Sequence, residues 1–377
     1  MADALIAGLP NTHVLFSAES LCDSHPDKLC DHIAESLVDS LLSEDPQARV
    51  SLQVLIKADL VLVLGSVATA AQVDYQQIVR RVLKKLLFAG SEKGLGPETC
   101  RVVIHVDQQC AETALKAAED TNICDSGVIS GYACSETPEC IPFAVLCASR
   151  LSQRLSEVCR STCEWAKADC EVQVTMEYKR TRGKLVPSRV HTVQISGDLA
   201  TPGADVTAQL REEVVKAVIP EQYLDDRTIY RANPAARNSG VSGRHGNYYG
   251  CWADPSSTAC TGKDPHRVER FAPLAARWIA KSLVKANLCD RALVQLAYGG
   301  AGSPTSINID TFGTTKAGRE DKDLTALVLA NFDLRADSLV QELSLRQGGY
   351  EKTVAAGPFG REDSEFPWES ARTLTSP

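Results

Sequence analysis

No stretch of the chain approaches the roughly eighteen consecutive apolar residues of a membrane-crossing helix, so no membrane span is expected. Positive charge is in short supply as well: 40 Lys and Arg face 48 Asp and Glu, a net charge of −8. A chain with that balance and no basic stripe is a poor partner for nucleic acid, whose phosphates must be neutralised. Any anionic small ligand must instead be met by a local cluster of cations. Aromatic residues are few, at 6%, which is ordinary for a globular protein. The opening stretch MADALIAGLPNTHVLF has no basic residue and too short an apolar run for a secretory signal. The expected compartment is the cytoplasm, with a processed organelle protein left open.

What is present is length, hydrophobic patterning and cysteine. The 377 residues allow two or three domains with a sizeable core. Fourteen cysteines are scattered over the chain rather than clustered, and a core of this size needs no disulfide staples. Cys159 and Cys163 are four apart on an expected helix but have no matching His or Cys pair for zinc, so reduced, buried thiols are expected.

Hydrophobic periodicity repeats one order of elements three times. First, Leu29, Ile33, Leu37 and Leu41 mark a helix face stopped by Pro46, followed by strands over 50–57 and 60–69. A helix from Asp74 with Ile78, Val82, Leu83, Leu86 and Leu87 on one side, and a strand over 101–106, close that unit. The middle third offers a helix over 142–160, alternating strands over 171–180 and 189–196, and a helix near 207–218. The last third offers a helix over 270–287, strands over 292–299 and 305–313, and a helix near 322–332. Three α+β domains of similar plan are expected, over 12–112, 122–232 and 233–370, with antiparallel sheets covered by helices on one face. The other faces must be buried against one another or against a second subunit.

Two stretches open helices with charge. In SHPDK (24–28), Ser24 reads as an N-cap, Pro26 as a first-turn residue and Asp27 as part of a capping box. Spacing alone favours that capping reading; the other reading is a phosphate site with His25 and Lys28 as donors and Asp27 on Mg²⁺. In GKDPHRVER (262–270), Lys263, Arg267 and Arg270 could meet phosphate, and Asp264 and Glu269 its metal; a solvated, mixed-charge helix start is the alternative. Cations in a first turn oppose the helix dipole, which favours an anion there. CDSGVISGY (124–132) reads as a glycine-flanked turn with one acid.

Taken in order, these stretches resemble the methionine adenosyltransferases, or S-adenosylmethionine synthetases, over about Leu15 to Glu369. HPDK (25–28) matches that family's Gly-His-Pro-Asp-Lys, with Ser24 for the glycine. DSGVISGYA (125–133) matches its Gly-Asp-Gln-Gly…Gly-Tyr-Ala segment, and GKDPHRVER matches Gly-Lys-Asp-Pro-Ser-Lys-Val-Asp-Arg. PTS (304–306), FDLR (332–335), FGRE (359–362) and FPWE (366–369) complete the series. The resemblance implies an α+β fold of three βαββαβ-like domains around a pseudo-threefold axis, and dimers with active sites between subunits. It implies attack of methionine sulfur on the 5′ carbon of ATP, release and hydrolysis of triphosphate, and a need for Mg²⁺ and K⁺. By the same resemblance His25 and Lys263 would be catalytic. Glu19, Lys28, Asp125, Arg244, Lys263 and Arg267 would bind nucleotide or phosphate, with Asp125 facing methionine or adenosine. Asp27 and Glu269 would bind metal.

The departures from that pattern fall on chemistry. Glu171, in ADCE (168–171), stands where the family has a lysine that stabilises the triphosphate. Gln53 replaces the glutamate that binds K⁺, so that site is expected to be lost, and Ser66 replaces the glutamate that meets methionine. The loop motif Gln-Ser-Pro-Asp-Ile becomes QCAET (109–113), and the segment over 238–258 is shorter than the family's. There Arg244 keeps an arginine while His245 replaces a lysine. The expected function is therefore a catalytically impaired family member, a structural or regulatory subunit pairing as a homodimer or with an intact relative. An active enzyme making S-adenosylmethionine from ATP and methionine, with release of phosphate and diphosphate, is the alternative.

Overall fold

The computed structural model describes residues 12–87, 95–109, 126–161, 166–199, 206–232, 260–300, 302–361 and 365–375. Among the described residues ten strands form three sheets, each backed by helices, the mixed α+β architecture expected. β1 (His13–Leu21), β6 (Ala166–Thr181), β7 (Lys184–Leu199) and β8 (Ile229–Ala232) lie side by side in that order. β2 (Arg49–Lys57), β3 (Leu60–Ala68) and β4 (Arg101–Gln109) form the second sheet. The third runs β10 (Pro304–Asp310), β9 (Arg291–Gly299), β5 (Ser126–Cys134).

The sheets do not follow the thirds of the sequence. β1 leaves the first third to pair along its whole length with β6 of the middle third. β5 leaves the middle third to pair with β9 of the last. A short piece of the last third returns the exchange: Leu52 N–H donates to the Gly262 carbonyl and Asp264 N–H to that of Val50, on the free edge of β2. Each third thus lends a segment to the next sheet in a closed cycle. The expectation of a turn at 124–132 is corrected accordingly: Ser126–Cys134 is a strand whose glycines serve packing. Two of the sheets are also mixed, since β4 runs parallel to β3 and β8 parallel to β7, while β10, β9 and β5 are antiparallel as expected. A helix or a long connection precedes each of these strands, as parallel neighbours require.

Helix α1 (Pro26–Glu44) puts Leu29, Ile33, Leu37 and Leu41 against the second sheet, each 1% exposed or less. Helix α2 (Tyr75–Leu86) is capped by the Asp74 side chain, which accepts from Gln77 N–H, and ends on Lys84 and Lys85, charges that suit its dipole. Helix α3 (Phe143–Ser161) covers the four-stranded sheet, and α4 follows as a helix broken by a π turn (Val206–Gln209, Leu210–Val215, Lys216–Val218). Helix α5 (Val268–Lys285) lies on β5 and β9 and packs against α7 (Ala336–Glu342), while α6 (Asp321–Asn331) lies against β10 and α8 (Glu351–Ala356) against α1 and α3. One apolar cluster joins the second and third sheets, and another fills the space between the four-stranded sheet, α3 and α4. The ten described cysteines are all free thiols, nine of them buried. No described helix is long and apolar enough to cross a membrane.

Candidate functional site

The segment before α5 is held by its backbone and one acid. Gly262 has φ +74°, and a Cβ there would lie 2.3 Å from the Leu52 carbonyl oxygen, so only glycine lets this strand reach β2. Asp264 is fully buried; one carboxylate oxygen accepts from Val50 N–H at 2.8 Å and the other from His266 N–H at 2.9 Å. Arg49 and Arg267 flank it at 3.7 and 3.6 Å. Asp264, read from sequence as a metal carboxylate, is therefore an anchor. Lys263 points the other way and donates to Ser51 Oγ at 2.8 Å. Arg267 caps α5 with its backbone while its guanidinium faces Asp264. Glu269 is half-buried, and its Oε2 is shielded from water with no hydrogen-bond partner.

At the start of α1 the cap is His25, not Ser24. The His25 ring accepts from Asp27 N–H at Nδ1, 3.2 Å, whereas Ser24 Oγ donates to the Leu86 carbonyl and ties α1 to the end of α2. An accepting Nδ1 puts the ring proton on Nε2, which lies 4.0 Å from Asp169 Oδ1. Lys28 turns inward: its ammonium donates to the carbonyls of Leu21 and Ala355 at 2.9 and 2.6 Å and lies 3.5 Å from Asp23. Burial, against the pull of Asp23, lowers its pKa.

The four-stranded sheet completes this corner. Cys170, Val172, Val174, Met176 and Tyr178 alternate inward along β6 and are buried. Alternation sends Glu171, Gln173 and Thr175 to the opposite, outer face. Register pairs Leu21 with Glu171 and Glu19 with Gln173, so the two acids are diagonal neighbours, a relation that typically spans about 7–8 Å. Glu19 and Glu171 with Asp169 and His25 thus gather where β1 runs into α1. Gln53 is exposed on the outer face of β2, opposite Leu64, and Ser66 lies two positions further along β3, opposite Ser51. Asp125 and Arg244 lie outside the described residues, as do most of the 109–113 motif and the 238–258 segment.

Sequence reading missed the strongest polar cluster. Arg277, 1% exposed, spends all five donors: Nε and Nη2 on Glu369, Nη1 on the Tyr132 and Cys140 carbonyls, and Nη2 also on that of Glu139. Lys281 adds a 2.6 Å bond to the same Glu369 carboxylate, and Gly360 N–H reaches it at 3.2 Å. Gly131 makes room, because a Cβ there would lie 2.2 Å from Arg277 N. The glycine of GYA, the glycine of FGRE and the acid of FPWE therefore form a single structural clamp. An arginine and a lysine four apart on an otherwise apolar helix face were its sequence signal.

Three family models match the chain in sequence order. The S-adenosylmethionine synthetase N-terminal domain matches residues 13–111, the central domain 120–238 and the C-terminal domain 233–370. Together they run over nearly the whole chain. The chain belongs to the S-adenosylmethionine synthetase family.

Proposed function

We propose that this chain is a family subunit with impaired catalysis that serves as a structural or regulatory partner in a family dimer or larger assembly. The observation that carries this reading is the environment of Glu171: a carboxylate on the outer sheet face, diagonal to Glu19 and close in sequence to Asp169, which faces His25. In the family's reaction that corner must stabilise a departing triphosphate. Removing one such donor typically costs about 3–4 kcal/mol of transition-state stabilisation, and reversing its charge adds repulsion. The remaining cations do not make up the difference. Lys28 is committed to two carbonyls, and Arg267 faces Asp264.

Mg²⁺ and K⁺ fare differently. Glu269, with a water-shielded and unpartnered oxygen, has donor chemistry that suits a hard cation, and Asp27 is the other carboxylate that would hold Mg²⁺. Such an ion would bring charge neutralisation to a bound triphosphate, whose oxygens and water would complete its shell. Among the described residues no three His, Cys, Asp or Glu side chains already form a cage. Gln53 offers K⁺ a carbonyl oxygen without charge, a poor replacement for a glutamate.

The outer face of the second sheet supports pairing. Leu55, Leu62 and Val103 sit across from one another in register, with Leu64 two positions along β3, all half-buried or exposed. An apolar face of that kind is covered in a homodimer or by an intact family member.

The test is to purify the chain alone, supply ATP, methionine, Mg²⁺ and K⁺, and measure S-adenosylmethionine and phosphate. The expected result is no product above background; turnover comparable to ordinary family members would overturn the proposal. Mixing with an active synthetase and measuring mass by light scattering tests the partnership, which requires a mixed species.

A further inference from the structure

The end of the chain is held in the way a peptide ligand is held. Residues 371–375 belong to no helix or strand, and among the described residues no bond between backbone groups fixes them. Side chains of the helices beneath meet their backbone instead. The Trp278 indole N–H donates to the Ser370 carbonyl at 2.7 Å, and Ser282 Oγ accepts from Arg372 N–H at 2.9 Å. Asn331, the last residue of α6, meets Thr375 with both halves of its amide. Its Nδ2 donates to the Thr375 carbonyl at 2.9 Å, and its Oδ1 accepts from Thr375 N–H at 2.9 Å and from the hydroxyl at 3.1 Å. A further bond from Nδ2 to the Leu327 carbonyl means that α6 itself orients this amide.

Two side chains of the segment turn inward. Arg372 and Leu374 are half-buried, whereas Ala371, Thr373 and Thr375 are exposed, the alternation of an extended strand. The Arg372 guanidinium lies 4.6 Å from the Trp278 ring centroid and 4.8 Å from that of Phe332, two rings that meet edge to face. It donates from Nη1 to the Asn331 carbonyl and pairs through Nη2 with Glu342 of α7. Two aromatic rings and a carboxylate form a cage suited to a planar, delocalised cation. Leu374 packs against the larger apolar cluster. The groove thus holds four backbone groups of whatever sequence lies in it. It selects side chains at two positions, an arginine and the leucine two residues on.

We propose that this groove over α5, α6 and α7 is a docking site for an extended Arg-x-Leu segment of a partner protein, occupied in cis by the chain's own end until such a segment displaces it. Displacement requires no sheet to be broken, and only the terminus moves. Glu369, bound to Arg277, anchors the near end of the segment. The cis end therefore competes at the high effective concentration of a short tether. None of the groove residues belongs to the corner of His25 and Glu171, so the site is independent of whether the chain makes S-adenosylmethionine.

Fluorescence anisotropy with a labelled peptide of residues 370–377, SARTLTSP, tests it on the full chain. Arg372→Ala empties the cage, and this variant is expected to bind the peptide at least about tenfold tighter than the parent, whose own end competes. A peptide with alanine in place of its arginine should bind the variant at least about tenfold more weakly. Adding Glu342→Gln, at an exposed position, should weaken the arginine peptide several-fold. Hydrogen exchange on the parent needs no variant: excess peptide should lower the protection of the Arg372 and Thr375 amides. If circular dichroism shows Arg372→Ala unfolded, the exchange experiment decides alone. No binding by the folded variant, equal binding by variant and parent, binding indifferent to the peptide's arginine or to Glu342, or amides unmoved by excess peptide would each overturn the proposal and leave a strap that acts only in cis.

Discussion

Two polar neighbourhoods, both carrying family motifs, have opposite characters. Around Arg277 every donor is answered: five guanidinium bonds, a shared Glu369 carboxylate and Lys281 beside it. Around Glu171 the outer sheet face carries a second acid, Glu19, one diagonal away, and Lys28, at the start of α1, is turned inward to carbonyls. The first arrangement joins β5, α5, Gly360 and Glu369. The second would serve only a chain that handles triphosphate. Motif residues therefore divide into anchors and candidates for chemistry.

The largest effect should come from breaking the answered neighbourhood. Arg277→Ala takes five hydrogen bonds from Glu369 and three carbonyls, leaving only Lys281 and Gly360 on the carboxylate, and removing one partner of a buried pair typically costs about 3–5 kcal/mol. Denaturant unfolding should show that loss; a change within error would mean the clamp is dispensable. Asp31 lies between the two characters, buried like Arg277 yet with an unanswered oxygen. Its folded pKa of about 8 exceeds that of the unfolded chain, so its contribution is whole below about pH 4 and is lost as pH rises toward 8. Asp31→Asn should remove up to about 1.4 kcal/mol per pH unit of that slope across the window. Parallel stability curves for parent and variant would refute the assignment.

Gly131→Ala is the next step down. The new methyl must push α5 away from β5, at a cost typically near 1–3 kcal/mol. An unchanged melting temperature would show that the two elements slide apart freely. Glu171→Lys should have the smallest effect on stability, within about 0.5 kcal/mol as for other surface changes. It should also fail to restore S-adenosylmethionine formation, because Gln53, Ser66 and the shorter 238–258 segment remain. Recovery of turnover from that substitution would erase the contrast between the two neighbourhoods.

Much of the architecture was legible along the chain. The apolar stripe of Leu29, Ile33, Leu37 and Leu41 lies along α1, and the alternation from Val172 to Tyr178 lies along β6. β5 was not legible because Ser126–Cys134 has the glycines of a turn, and the reason for Gly131 is a helix packed onto it from far along the sequence. His25 displaced Ser24 as the α1 cap because Ser24 is drawn to the Leu86 carbonyl, a partner 62 residues away. Of the site, the sequence named its residues but not their commitments. Lys28 and Asp264 have the right charges for phosphate and metal, yet each is held by backbone groups, one of them brought from another third.

The order of residues by itself determined most of the helices and strands, the threefold plan and the family, because periodicity and motif spacing are local and survive in one dimension. Tertiary structure alone decided that each third lends a segment to its neighbour's sheet. It alone decided which charges serve as anchors. Periodicity reports that a face is buried but not what buries it, and hydrogen-bond capacity is spent only once distant segments meet.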